Sequence, residues 1–85
     1  MAQYAKLIIK ILGGGSDANI AFDDLRNLLK RLGFVERVKG GHHMFGKTGV
    51  PEQINLQRFG GNAKPYQVRQ VRNVLVKYQL LNSEE

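Results

Sequence analysis

The sequence predicts an α+β domain in which helices cover one face of a three-stranded antiparallel sheet, in the order (α)-α-β-β-β-α. Three observations predict it. Phe22, Leu25, Leu28, Leu29 and Leu32 recur at helical spacing and stop at Gly33. Short alternating segments at 34–39 and 42–47 flank a Gly-Gly pair, and a third follows at 54–58. A last segment opens on Pro65 and puts Val68, Val71, Val74, Leu75 and Tyr78 on one face. Eighty-five residues suffice for one such core and not for two, so the chain is a single domain, 1–85, with an N-terminal extension over about 1–18.

Taken in order, "YAKLIIKIL" (4–12) is apolar without clean periodicity and is compatible with a helix or a strand. Ala, Lys and Leu at its ends favour a helix. "GGGSDAN" (13–19) is a loop by composition, and it lacks the Gly-Lys-Ser/Thr end of a nucleotide-binding loop. In the helix from Phe22, Asp23 and Asp24 occupy the first turn and Lys30 and Arg31 the last, matching the macrodipole. "FVERVK" and "HHMFGK" form a hairpin about Gly40-Gly41, "TGVPEQ" (48–53) is a second turn, and "INLQR" is the third strand. Ile54 and Leu56 face one side of that strand, Asn55 and Gln57 the other. "FGGNAK" (59–64) is a loop.

Composition narrows the function. With no cysteine, disulfides and thiolate zinc sites are excluded, which suits a reducing compartment. The longest apolar run, "LIIKIL", is too short to span a bilayer, and the N-terminus has no signal-peptide pattern; a cytoplasmic location is expected. The formal net charge is +6, concentrated in residues 34–79, where eight Lys/Arg face Glu36 and Glu52. Glu84 and Glu85 then close the chain. A basic half of this kind favours a polyanion or an acidic protein as partner.

Both histidines, His42 and His43, stand in that half, directly after the Gly-Gly turn. Histidine titrates near neutral pH, so a neutral imidazole can take a proton from an RNA 2′-hydroxyl and a protonated one can supply a proton to the leaving oxygen. Such a reaction uses the substrate's own nucleophile and asks for no metal or other cofactor. Adjacent strand residues point to opposite faces, so the two rings do not converge on one ion. Gly40 and Gly41 allow a phosphate close to the backbone. Lys39, Lys47 and Arg37 flank the turn as phosphate contacts, with Lys64, Arg69 and Arg72 further along. Within the second strand Met44 and Phe45 are both apolar, so alternation there does not decide which histidine faces the core. A DNA-binding helix-turn-helix is a third and weaker reading, since it needs two helices joined by a short turn and here strands intervene.

The succession "LLKRLGF", "GGHHMF", "INLQR", "AKPYQVRQVRNVLVKY" resembles the HicA family of toxin ribonucleases, over about residues 5 to 81. The resemblance implies a fold similar to double-stranded-RNA-binding domains. It also implies a metal-independent endoribonuclease that cleaves mRNA and stops translation, held in check by a HicB-type antitoxin. The family motif Gly-Ser-x-His maps onto Gly40, Gly41, His42 and His43, which makes His43 the catalytic residue and His42 the weaker candidate. Gly41 stands where the family has serine, and so lacks a hydroxyl that would brace the turn or bind phosphate. The alternative on the same fold is a non-catalytic module that binds RNA or a protein partner.

Overall fold

The computed structural model describes residues 2–83; Met1, Glu84 and Glu85 lie outside the described residues. Three helices, α1 (Ala2–Gly13), α2 (Phe22–Arg31) and α3 (Pro65–Lys77), accompany a sheet of β1 (Val35–Lys39), β2 (His42–Lys47) and β3 (Val50–Leu56). The sheet is antiparallel in the order β1-β2-β3, as expected. Single 3-10 turns occupy Asp17–Asn19 and Leu80–Ser83.

Gly33 ends α2 by a specific device. At φ +98° it donates its N–H to the Lys30 carbonyl, and Phe34 N–H reaches the Leu29 carbonyl. This is the Schellman pattern, and glycine takes that φ without a Cβ penalty. The "RLGF" sequence thus turns the chain straight into β1.

Register settles the faces. The first hairpin pairs Lys39 with His42, Val38 with His43 and Glu36 with Phe45. The second pairs His43 with Leu56, Met44 with Asn55 and Phe45 with Ile54. Phe45, Ile54 and Leu56 are fully buried, together with Ile11, Leu25, Leu28, Val68, Val71 and Leu75. The helices therefore lie on the face of Glu36, Val38, His43, Phe45, Ile54 and Leu56. The other face carries Arg37, Lys39, His42, Met44 and Asn55 and bears no helix among the described residues.

Two expectations need correction. The segment 48–53 is not one long turn: only Thr48 and Gly49 turn the chain, Gly49 at φ +90°, and β3 begins at Val50. Pro51 sits within β3, where an edge strand tolerates its missing N–H. A register irregularity between Phe45 and Lys47 absorbs the difference. Next, the segment 59–64 is not a plain loop. Arg58–Phe59 (β4) and Asn62–Ala63 (β5) form a two-stranded ribbon about Gly60-Gly61. Its backbone is tied to the start of α2, with Phe22 N–H donating to the Gly61 carbonyl and Ala63 N–H to that of Ile20.

The N-terminal segment packs into the fold. Residues 4–12 are helical, as favoured, and α1 belongs to the core through fully buried Ile11. Arg72 of α3 fastens it, donating to the Ile11 carbonyl at 3.1 Å and to Asp17 at 2.9 Å. No helix is long and apolar enough to cross a membrane among the described residues.

Candidate active site

His43 lies at the margin of the helix-covered face, its side chain 16 % exposed. Its ring packs edge-on against buried Phe22, centroids 4.9 Å apart. Nδ1 is 2.8 Å from Glu36 Oε2. Arg26 clamps the same carboxylate with two bonds, Nε to Oε2 at 2.7 Å and Nη2 to Oε1 at 2.9 Å, and Lys30 Nζ stands 3.8 Å from it.

These cations fix the proton inventory. The Arg26 guanidinium, helped by the His43 bond, holds the Glu36 carboxyl well below the usual range, at about 2. Glu36 is therefore ionised near neutrality and can only accept, so Nδ1–H is the donor. His43 Nε2 then carries either a lone pair or a proton. It has no hydrogen-bond partner among the described residues, and it is not one of the fully enclosed polar atoms. A carboxylate-oriented imidazole with an open Nε2 is the arrangement that general acid–base chemistry requires.

His42 is placed differently. It is exposed on the open face, where Nδ1–H donates to Asn55 Oδ1 and Nε2 accepts from Gln57 Nε2, both at 3.3 Å. Both ring nitrogens are engaged, weakly, and no carboxylate orients the ring.

The predicted phosphate contacts divide between surfaces. Lys39 and Arg37 share the open face with His42, because they pair with His42 and Met44. Lys47 pairs with buried Val50 at the end of β2, and its ammonium lies by Gly33, at the rim of a groove that Arg37 and Met44 also line. Arg37 and Lys39 are not beside His43: a strand's alternation sends odd residues of β1 away from the face to which β2 sends its own odd residues. Lys64 joins the open-face network through Gln57, at 3.2 Å. Arg69 lies apart, along α3 with Tyr66 and Glu52. Arg72 is committed to α1 and Asp17 and is not presented to a ligand. Gly40 makes the turn at φ +60°, whereas Gly41 has no positive φ and a Cβ there would meet nothing within 4 Å. A serine at 41 would fit this backbone.

Sequence reasoning missed the cations that do neighbour His43. Arg58 lies over the Phe22 ring, 4.5 Å from its centroid, and pairs with Asp23 at 2.9 Å. Asp23 also binds Arg26 at 3.1 Å. Arg26, Lys30 and Arg58 thus face two carboxylates, Glu36 and Asp23, which leaves the surroundings of His43 with a net positive charge. Strand parity is the signal that finds Arg58, since it continues the side of Leu56 beyond β3. Glu36 is legible in the same way, diagonal to His43 across the Gly-Gly hairpin. No protein-family model, curated protein or solved structure matches the chain.

Glu36 also makes a prediction about acid stability. Its carboxyl titrates lower in the folded chain than in the unfolded one, so its contribution is complete above pH 4.5 and is lost as pH falls towards about 2. With screening at this partly exposed site allowed for, roughly 1–2 kcal/mol is at stake. Urea unfolding of wild type and Glu36→Gln is expected to differ by that amount at pH 7 and to converge near pH 2. A gap unchanged by acid would show that the Arg26 clamp is not ionic.

Proposed function

We propose that this chain is a metal-independent endoribonuclease of toxin type, similar to the HicA family, that cleaves mRNA and thereby halts translation. The observation that carries the reading is the His43–Glu36–Arg26 arrangement, with Nδ1 held by an ionised carboxylate and Nε2 without a hydrogen-bond partner among the described residues. The order α2-β1-β2-β3-α3 supports the finer fold assignment, a double-stranded-RNA-binding-domain-like class, with α1 and the β4-β5 ribbon as additions.

In the proposed reaction, neutral His43 Nε2 removes the proton of a 2′-hydroxyl. The 2′-oxygen forms a bond to phosphorus, the bond from phosphorus to the 5′-oxygen breaks, and that oxygen receives a proton. The products are a 2′,3′-cyclic phosphate and a 5′-hydroxyl. Arg58, over the Phe22 ring against which His43 packs, is the cation assigned to offset the charge growing on the phosphorane oxygens. A HicB-type antitoxin, an acidic protein, would cover this basic site in the cytoplasm, and added salt should slow that association.

One observation favours a second reading, an RNA-binding module without chemistry. Arg37 and Lys39, which have no ion pair or hydrogen bond among the described residues, lie on the face away from His43. Incubation of the purified chain with RNA in EDTA separates the two: the nuclease cuts, whereas the module binds and leaves the RNA intact.

A further inference from the structure

Pairing of charge differs between the faces. On the helix side five cations meet an acid, Arg26 and Lys30 with Glu36, Arg58 with Asp23, Arg72 with Asp17 and Lys77 with Glu52, while Lys6 and Arg69 on the outer helix surfaces have no ion pair among the described residues. On the open face Arg37 and Lys39, and at its rim Lys47, make no ion pair or hydrogen bond among the described residues. No strand carboxylate shares that face, because Glu36 pairs with Phe45, and Glu52 lies two residues from Ile54, both on the helix side. A groove of about 590 Å³ runs across it, lined by Arg37, Met44, Lys47 and Gln53 among others.

We infer that this open sheet face is a binding surface for single-stranded RNA, separate from the His43 centre and on the opposite side of the sheet. Unpaired cations without a carboxylate attract a polyanion and release its counterions. Arg37 and Lys39, alternate residues of one strand, stand about 7 Å apart, a spacing suited to successive phosphates of an extended chain. Met44 and the His42 ring offer surfaces for unstacked bases, and the Asn55 and Gln53 amides offer hydrogen bonds to base edges. A sheet three strands wide, about 10 Å from first to last, gives a groove that accommodates one strand; a duplex would rest on its rim.

This deepens the RNA reading and rests on it for the identity of the polyanion. It also assigns the Gly40-Gly41 tip a role. RNA gripped on one face and cut on the other has a short path around the hairpin end, where two glycines present no side chain and an added Cβ would meet nothing within 4 Å. The strand is held by one side of the sheet and delivered to the other.

The test is fluorescence anisotropy with a labelled, unstructured RNA oligonucleotide in EDTA, on the His43→Ala background so that nothing is cut. The triple variant Arg37→Gln, Lys39→Gln, Lys47→Gln is compared with a charge-matched control, Lys6→Gln, Lys10→Gln, Lys77→Gln. The open-face triple should lose on the order of 100-fold in affinity at 0.1 M salt, and its salt dependence should fall by about three phosphate contacts. The control should lose far less. Equal losses, or a duplex bound as tightly as the single strand, overturn the inference. A chain that binds in this way and never cuts leaves the inference standing and removes the nuclease reading alone.

Discussion

His43→Ala is expected to lower RNA cleavage by about 10²–10⁴-fold, the usual worth of a positioned acid or base. The loss belongs to the chemical step. Nε2 is the open end of an imidazole whose other nitrogen is bonded to Glu36 at 2.8 Å, and alanine removes it while the Arg26–Glu36 clamp persists. Far-ultraviolet circular dichroism should therefore be unchanged, and RNA should still bind. His42→Ala is the internal control. Both His42 nitrogens already face amides, and its ring lies on the opposite side of the sheet, so cleavage should persist. Loss of activity in His42→Ala with retention in His43→Ala would exchange the two assignments.

The largest effect on stability is expected from Phe45→Ala. Phe45 is fully buried in the central strand, between Glu36 and Ile54 and beneath the helices. Truncating such a ring costs about 3–5 kcal/mol, transfer and cavity terms together. A chain of this size carries roughly 4–13 kcal/mol in all, so the midpoint of thermal unfolding should fall by on the order of 20 °C. Met44, the next residue, lies on the open face, and Met44→Ala should cost less than about 1 kcal/mol. Urea unfolding of the two variants measures which face is the core. Equal or reversed costs would turn the sheet over and place His42, not His43, against Phe22.

The comparison of those neighbours shows what was legible in the sequence. The second strand alone is ambiguous, with Met44 and Phe45 both apolar. The third strand is not ambiguous, since Ile54 and Leu56 alternate with Asn55 and Gln57. Antiparallel pairing joins odd residues of β2 to even residues of β3 for the short turn found here and equally for the longer one expected, so parity assigns His43 to the apolar side. The helix from Phe22 and its stop at Gly33 were legible because stripe, charges and terminal glycine agreed. The start of β3 was not, because Pro51 argues against a strand unless the strand is known to lie at an edge. The ribbon at 58–63 was hidden as well: its pairs are only two residues long and are stabilised by the backbone of Ile20 and Phe22, distant in sequence.

At the site, the histidine pair and the Gly-Gly turn were visible locally, whereas their partners are tertiary. Arg72 illustrates the limit. A basic residue on a helix with a solvated pattern looks available, yet its guanidinium caps α1 across the fold. Arg58 is the converse case, a cation in an apparent loop that folding delivers to the Phe22 ring beside His43.

The central claim is that His43 Nε2 draws a proton from the 2′-hydroxyl of RNA. Its most direct test is cleavage in EDTA of one RNA sequence in two forms, all-ribose and with a single 2′-deoxy residue on the 5′ side of a mapped cut. The account predicts that the cut at that position disappears, that other cuts remain, and that the all-ribose fragments end in 2′,3′-cyclic phosphate. Cleavage through the deoxy position would contradict it, since the attacking oxygen would then come from elsewhere.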